Sequence, residues 1–381
     1  MTKDEILQNQ ALSQHMLFFS PLNKHAVFEK RGIHYEDQKP GFRVLDYGKA
    51  EINFPAVEAE SVTVKGWGGS MPGEYALHRL EDGTWQTVAE DVLPGFHYCD
   101  FYVDGVRTVN PLAPVGYGSF RVCNFFEMPT PDSAFWLLQN VPHGDVRMEL
   151  YPSSVNGRTK AVFVYTPPGY DDHPEKRYPV LYIQHGVGEN ETGWVWQGKL
   201  NYIADNLIAA GECRETIIVM NSGYAFVEGE INMFLPGDFE KELCEDCIPF
   251  IDGKFRTLAD KEHRAIAGLS LGSSQAFSIG LHRRKDLFSW IGVFSGGIGY
   301  QGPFGEFDVS EAFADPVEFN RCIRLLFVSW GTHEPFGEGN GKFLKELEEK
   351  GIPSVIHTHE GWHEWDVWRY AAAEYLRRLF R

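Results

Sequence analysis

The sequence predicts a two-domain protein in which an all-β, immunoglobulin-like sandwich precedes an α/β domain with a mostly parallel sheet flanked by helices. In the first half, short β-prone runs are broken by turn residues, which is typical of antiparallel sandwiches. In the second half, near-continuous apolar runs alternate with amphipathic helical patterns. The length of 381 residues suits two domains of ordinary size. We place the domains at residues 1–142 and 143–381.

The first domain is predicted to open with a short amphipathic helix in MTKDEILQNQALSQHMLFFS, where Thr2 and Glu5 have the spacing of a capping box. Strands follow, with turn signals such as EDG, LPG and VDG between them. In chain order their sequences are SVTVKGW, YALHRL, TWQTVAEDV, HYCDFYV and VRTVN. A stretch rich in proline and polar residues, FEMPTPDSAFWLLQNVPHG, then separates the two halves.

The second domain is predicted as strands that alternate with helices. The predicted strands are AVFVYTP, YPVLYIQHG, TIIVMNSG, HRAIAGLS, WIGVFSGG, IRLLFVSWG and SVIHTHEG. The predicted helices are NYIADNLIAAG, DFEKELCEDCIPFIDGKF, SQAFSIGLHRR, GKFLKELEEKG and DVWRYAAAEYLRRLF. Because parallel strands run in one direction, side chains that follow them emerge at the same carboxyl edge of the sheet.

Charge and cysteine content narrow the partners and the compartment. The chain has 35 Lys and Arg against 53 Asp and Glu, a net charge of −18, which disfavours nucleic acid and anionic membranes as partners. The N-terminal residues lack the apolar core of a secretory signal. No apolar run reaches the length of about 18 residues that a membrane-spanning helix needs. The six cysteines are scattered, and Cys244 and Cys247 lie inside a predicted helix with no second pair at zinc spacing, so we interpret them as structural. We expect a cytoplasmic protein, and the sequence leaves a homo-oligomer open.

The strongest chemical signal is a G-x-S-x-G motif at residues 268–272, placed where a predicted strand turns into a predicted helix. A serine hydroxyl is a weak nucleophile at neutral pH, so it must project from a tight turn toward a base. Flanking glycines tolerate the strained backbone of such a turn. This context predicts Ser270 as the nucleophile of an α/β hydrolase.

The base and the acid should follow the nucleophile on loops after later strands. His363 comes just after the strand SVIHTHEG and before the last helix, so we predict it as the base. Glu334 follows the strand IRLLFVSWG directly and is predicted as the acid that orients the imidazole. Glu338 and Asp366 remain competing acids.

The oxyanion hole requires two backbone N–H groups that point at the developing alkoxide. Leu271, the residue after the nucleophile, is predicted to supply the first. The turn after the strand YPVLYIQHG is predicted to supply the second, from Val187 or, next, from Gly188. His185 precedes that turn, and we interpret it as a residue that shapes the loop.

Several aromatic residues lie near the predicted site, and aromatic walls suit an aromatic acyl group or a sugar face. The competing interpretation is that each ring packs in the core or at the base of a loop. The predicted substrate-binding residues are Trp194, Trp196, Tyr224, Trp330 and Trp362.

Several linked motifs follow one another in residues 143–381, namely YTPPGYDD, YPVLYIQHGVGENETGW, CIPFIDGKFRTLADKEHRAIAGLSLG, GVFSGG, SWGTHE and GWHEWDVWR. Through these motifs the segment resembles the feruloyl and acetylxylan esterases of carbohydrate esterase family one, which share their fold with enterochelin esterases and esterase D. The first half contains AESVTVKGW, DGTWQTVAEDVLPGFHYCDFYVDG and NPLAP. Through these segments it resembles the early-set immunoglobulin-like module, related to carbohydrate-binding module family 48, that often precedes such esterases. The chain departs from the family at Ser273, usually glycine, at Glu334, more often aspartate, and at Val187, often glycine.

The resemblance implies a serine triad of Ser270, Glu334 and His363. It implies an esterase that releases hydroxycinnamoyl (feruloyl-type) or acetyl groups from small or oligosaccharide plant sugar esters through an acyl-enzyme, with no metal or organic cofactor. One alternative is an enterochelin-type esterase that opens a siderophore trilactone, although the predicted site loops GVGENETGW, SGYAFVEGE and THEPFGEGN carry Glu and no Lys or Arg. Another is a catalytically silent glycan-binding protein. For the first domain we favour a structural role over glycan binding.

Overall fold

A computed structural model describes residues 1–8, 24–29, 32–37, 39–55, 58–71, 73–90, 92–227, 229, 236–283, 285–301 and 308–381. The chain divides into two compact units. The first contains Met1–Asn140 with Glu364–Asp366, and the second contains Val141–His363 with Val367–Arg381. No helix in the described ranges is long and apolar enough to cross a membrane.

The first unit is built from antiparallel strands. They are β1 (Lys24–Glu29), β2 (Gly32–Asp37), β3 (Phe42–Asp46), β4 (Lys49–Phe54), β5 (Val62–Gly66), β6 (Glu74–Arg79), β7 (Trp85–Ala89), β8 (Gly95–Val103), β9 (Val106–Thr108), β10 (Val115–Gly118) and β11 (Arg121–Met128). Strands β1 and β2 pair with each other, and the order of the larger sheet is β10-β11-β8-β5-β6-β7-β4-β3, with β9 beside β8. A 3₁₀ turn follows at Pro131–Trp136.

The core of this unit lies between strands from the two ends of the larger sheet. The ring of Phe42 on β3 stacks on Phe126 of β11 at 4.5 Å, and Phe54 on β4 lies 5.4 Å from Phe101 of β8. Strand β6 allows this layering because its first residues pair with β5 and its last two pair with β7. The sheet therefore folds over on itself and buries one face.

The sequence-based strand predictions for this unit coincide with β5 to β9 and are confirmed. The capping box is confirmed too, because Thr2 N–H donates to Glu5 Oε2 at 2.8 Å and Glu5 N–H donates to Thr2 Oγ1 at 3.3 Å. Residues 3–8 are helical, and the remainder of the predicted helix lies outside the described residues.

The second unit contains one sheet with the order β12-β13-β15-β14-β16-β17-β18-β19. Its strands are β12 (Asp145–Pro152), β13 (Thr159–Thr166), β14 (Val180–Gln184), β15 (Ile217–Asn221), β16 (Arg264–Leu269), β17 (Trp290–Phe294), β18 (Leu325–Gly331) and β19 (Val355–His359). The strands from β15 to β19 along this order are parallel, whereas β12 and β13 pair antiparallel at one edge. The sheet is mostly parallel, as predicted. The sequence-based prediction missed strand β12, because its residues are largely exposed and form no continuous apolar run.

Helices connect the parallel strands. They are α1 (Gly193–Trp196), α2 (Leu200–Ala209), α3 (Phe239–Lys241), α4 (Ile248–Lys254), α5 (Leu271–His282), α6 (Pro316–Cys322), α7 (Gly337–Glu349) and α8 (Trp365–Leu376), with 3₁₀ turns at Lys261–His263 and Ser310–Phe313. The predicted helix DFEKELCEDCIPFIDGKF is interrupted by a π-helical segment at Glu242–Cys247 that joins α3 to α4. Both cysteines of this segment are buried, and burial raises the pKa of Cys244 to about 12, so the thiol is protonated.

Candidate active site

Ser270 lies at the sharp turn between β16 and α5. Its backbone has φ 52° and ψ −116°, a conformation that a non-glycine residue adopts only under strain of about 1–3 kcal/mol. The neighbouring glycines are sterically required, because a Cβ on Gly268 would lie 2.2 Å from Gly272 O and a Cβ on Gly272 would lie 2.5 Å from His185 O. The turn therefore has the geometry of a nucleophile elbow.

Ser273 stabilises this elbow from the first turn of α5. Its Oγ donates to Ser270 O at 2.6 Å, and its side chain is buried. The side chain occupies the space above Gly296, where an added Cβ would lie 1.8 Å from Ser273 Oγ and 3.0 Å from Ser273 Cβ. Serine at 273 thus requires glycine at 296.

We expect Gly296→Ala to lower the free energy of unfolding by about 2 kcal/mol, because the added methyl group overlaps the Ser273 side chain in a close-packed region. Ser273→Gly removes the overlapping atoms, so the double variant should be more stable than Gly296→Ala alone. Urea unfolding of the variants measures both effects. Gly297→Ala is a matched control, since its Cβ would meet only Phe336 at 3.8 Å. Equal losses at 296 and 297 would contradict the steric explanation.

His363 and Glu334 form a hydrogen-bonded pair beyond β18 and β19. Nδ1 of His363 lies 2.7 Å from Oε1 of Glu334, whose side chain is 1% exposed, while the imidazole is 41% exposed. Oε2 of Glu334 accepts from Gly331 N–H at 2.8 Å. A carboxylate at Nδ1 directs the ring proton to that atom and leaves Nε2 to act as a base.

The competing acids are placed differently. Glu338 is exposed on α7, where Lys342 Nζ donates to its Oε1 at 2.5 Å. Asp366 is the second residue of α8 and belongs, with its two preceding residues, to the first unit. Among the three predicted candidates, Glu334 has the carboxylate that is hydrogen-bonded to His363 Nδ1 at 2.7 Å, as the predicted acid should be.

A turn at residues 186–189 follows β14 and lies against the elbow. A Cβ on Gly186 would be 3.4 Å from Ser270 Cβ. Gly186 N–H donates to Glu189 Oε2 at 3.1 Å, Gly188 N–H donates to Tyr224 OH at 2.9 Å, and Glu189 N–H donates to Gly186 O at 3.3 Å.

Two backbone N–H groups beside the elbow are left for a ligand. In the described part of the chain, the Val187 N–H is the one in this turn that is donated to no protein acceptor. Leu271 is the first residue of α5. Its N–H therefore has no carbonyl acceptor within the helix. The geometry therefore favours Val187 over Gly188 as the partner of Leu271.

Comparison with known proteins agrees with this geometry. A family model described as "Putative esterase" matches residues 153–379. The chain belongs to this esterase family. The sequence resemblance to esterases is thereby confirmed, and the second unit has the α/β-hydrolase type of sheet.

Individual relatives extend the similarity. An endo-1,4-beta-xylanase/feruloyl esterase from Xylanibacter ruminicola is 35% identical over 343 residues, which cover 88% of this chain and 45% of that protein. The chain therefore spans less than half the length of this relative. A solved ferulic acid esterase is 27% identical with a TM-score of 0.55, covering 64% of this chain and 99% of its own. The enterochelin esterase from Shigella flexneri, 14% identical with a TM-score of 0.61, covers 89% and 95% and shows a shared fold.

The structure corrects one of the substrate-binding predictions, that of Trp194. Trp194 is 1% exposed, its indole N–H donates to Gln184 O at 2.9 Å, and its ring packs edge-on against Phe294. Trp194 is a core residue below the turn at residues 186–189, and its ring is not accessible to a substrate. Trp194 is the second residue of α1 and its side chain points inward, an orientation that the sequence could not distinguish from an outward one.

The other aromatic residues predicted to bind substrate are partly exposed. Trp362 stacks on His333 at 4.4 Å, and Tyr224 stacks on Phe226 at 5.0 Å. Trp196 and Trp330 are also half-buried. These rings can present one surface to a ligand while the other packs on protein. Within the described ranges, no three His, Cys, Asp or Glu side chains are grouped so that they could hold a metal ion.

Sequence analysis missed a lysine that supports the site. Lys160 on β13 donates to Tyr224 O and to Glu242 Oε1, both at 2.5 Å, and its side chain is 10% exposed. Lys160 fixes the loop that brings the Tyr224 hydroxyl to the turn at residues 186–189. The available signal is weak: a charged residue at the start of an otherwise apolar strand.

Proposed function

We propose that the chain is a serine carboxylic-ester hydrolase that releases hydroxycinnamoyl groups, such as feruloyl, or acetyl groups from plant-derived sugar esters. The observation that carries the proposal is the Glu334–His363 pair, held after strands that run parallel to the strand of the Ser270 elbow. Family membership supplies the esterase chemistry.

The proposed mechanism is a two-step acyl transfer. His363 Nε2 takes the proton of Ser270 Oγ as the oxygen attacks the ester carbonyl, and Glu334 stabilises the resulting imidazolium. The oxyanion accepts hydrogen bonds from the N–H groups of Val187 and Leu271. The imidazolium then protonates the leaving alcohol, and the neutral ring activates water to hydrolyse the acyl-enzyme.

Two features support a feruloyl-type substrate. The Xylanibacter ruminicola relative and the 27% identical structure both carry feruloyl or ferulic acid esterase names. Two half-buried aromatic residues adjoin site residues, since the Tyr224 hydroxyl accepts from Gly188 N–H and Trp362 directly precedes His363, and such rings suit a planar phenolic acyl group. The siderophore alternative has the fold match that covers more of this chain. Ferric catecholates are anionic, however, and the segments predicted from the sequence as site loops carry Glu and no Lys or Arg.

For the first unit we propose an immunoglobulin-like sandwich with a structural role. The packing of Phe42 on Phe126 across the folded sheet supports the sandwich. The Xylanibacter ruminicola relative matches 88% of the chain, more than the second unit contains, so its similarity extends into the first.

The test is parallel hydrolysis of methyl ferulate, p-nitrophenyl acetate and a catecholate trilactone, with Ser270→Ala as the blank. We expect kcat/KM for methyl ferulate to exceed that for the trilactone by about 10²-fold, because a fitted aromatic pocket discriminates at that level. Chromatographic detection of the released acids measures it. Preference for the trilactone would assign the chain to siderophore release, and no hydrolysis of any of the three would contradict the esterase proposal and favour a glycan-binding protein.

A further inference from the structure

The side chain of His185 joins two segments. One is the turn at residues 186–189, here called the oxyanion turn, and the other is the loop after β15. The ring is 2% exposed, with Nε2 at 2.9 Å from Gly223 N and Nδ1 at 2.8 Å from Gly186 O. A backbone N–H only donates and a carbonyl only accepts, so Nε2 is unprotonated and Nδ1 carries the proton. Burial lowers the pKa of His185 to about 4, which keeps the ring neutral at neutral pH. The two partners therefore select a single tautomer.

The bond to Gly186 O acts on the peptide group that carries the Val187 N–H. The carbonyl and the N–H belong to one planar trans peptide and point in opposite directions. A ring that holds the Gly186 carbonyl consequently also aims the Val187 N–H. This peptide lies beside the nucleophile, as the 3.4 Å from a Gly186 Cβ to Ser270 Cβ indicates.

The other end of the histidine bridge is anchored. Gln275 Nε2 donates to Gly223 O at 2.7 Å from the elbow helix α5. Lys160 donates to Tyr224 O in the next residue and forms an ion pair with Glu242, whose side chain is fully buried. Lys160 Nζ also donates to Ser222 O at 3.4 Å, and this carbonyl shares a peptide group with the Gly223 N–H. The Gly223 N–H is therefore held in place, and its bond to Nε2 fixes the imidazole relative to the oxyanion turn.

We propose that His185 is a positioning residue of the oxyanion hole, whose Nδ1–H orients the Gly186–Val187 peptide so that the Val187 N–H faces the oxyanion formed at Ser270. The inference rests on the proposed function, since it presupposes acyl transfer at Ser270. His185 acts through the peptide and exchanges no proton with the substrate. The Glu189 N–H also reaches Gly186 O, but at 3.3 Å it is the longer bond.

Two substitutions separate the two hydrogen bonds of the ring. Asparagine can place its amide nitrogen where Nδ1 lies and keep the bond to Gly186 O. Glutamine can place its amide oxygen where Nε2 lies and keep the bond from Gly223 N–H. With p-nitrophenyl acetate, we expect His185→Gln to lose about 10²-fold in kcat with KM within about 3-fold, and His185→Asn to stay within about 10-fold of the wild-type kcat.

Tyr165→Phe is the matched control, because it removes a buried hydrogen bond, to Asp205 at 2.6 Å, that involves neither the turn nor the elbow. Its kcat and KM should match those of the wild type. Equal kcat losses in the asparagine and glutamine variants, or a loss confined to KM, would overturn the positioning role.

Crystal structures of both variants supply a readout that is independent of activity. The Gly186 carbonyl should point at residue 185 in the asparagine variant and turn away in the glutamine variant. An identical carbonyl direction in both would also overturn the inference. Failure of the proposed function has a different signature, namely a wild-type protein that is no more active than Ser270→Ala.

Discussion

Ser270→Ala should lower kcat for ester hydrolysis by about 10⁴-fold or more, because no other group can form the acyl-enzyme. The substitution removes one oxygen and leaves the Cβ, so the strained backbone of the elbow is unchanged. Substrate affinity and the free energy of unfolding should stay close to those of the wild type. Stopped-flow release of p-nitrophenol measures the loss, and mass spectrometry should detect an acylated wild-type protein and an unmodified variant.

Ser274→Ala is the control for the nucleophile. Ser274 lies on α5, four residues after Ser270. The Ser274→Ala variant should retain wild-type turnover. A Ser270→Ala protein that hydrolyses esters at the wild-type rate would remove Ser270 from the mechanism. The same result would leave the fold and the family membership unaffected.

Local signals explain what the sequence predicts well. The elbow is recognisable because the G-x-S-x-G motif, the apolar strand before it and the helix after it are contiguous. His363 and Glu334 are predictable because each directly follows a strand of a parallel sheet, whose carboxyl ends share an edge. The structure adds the 2.7 Å contact that selects Glu334 among three candidate acids.

Contacts between distant segments explain what the sequence does not predict. The sequence ranks Val187 before Gly188 as the oxyanion donor, but it does not reveal that the Gly188 N–H donates to the hydroxyl of Tyr224, 36 residues along the chain. The orientation of Trp194 depends on packing against Phe294, a residue of another strand. Neither contact leaves a periodic pattern in the sequence, because each joins single residues from separate elements.

Glu334→Gln should lower kcat by about 10³-fold or more, and the reason lies in the second hydrogen bond of this carboxylate. Gly331 N–H can only donate, so it will bind the amide oxygen of the glutamine and leave the NH₂ group facing His363 Nδ1. Two donors cannot pair, so the imidazole must carry its proton on Nε2, where the lone pair for Ser270 is needed. The variant therefore stabilises the wrong tautomer while it preserves the shape of the site.

Asp366→Asn is the matched comparison, an equally small change in a buried acid that was a sequence-level competitor. We expect its kcat to stay within about 3-fold of the wild type. Glu334→Asp keeps the negative charge and should recover part of the activity lost by the glutamine variant, in line with the aspartate that related esterases often carry. Steady-state kinetics with methyl ferulate measures all three. A larger loss in Asp366→Asn than in Glu334→Gln would transfer the role of the orienting acid to Asp366, because only the group that holds the proton on Nδ1 should show the tautomer effect.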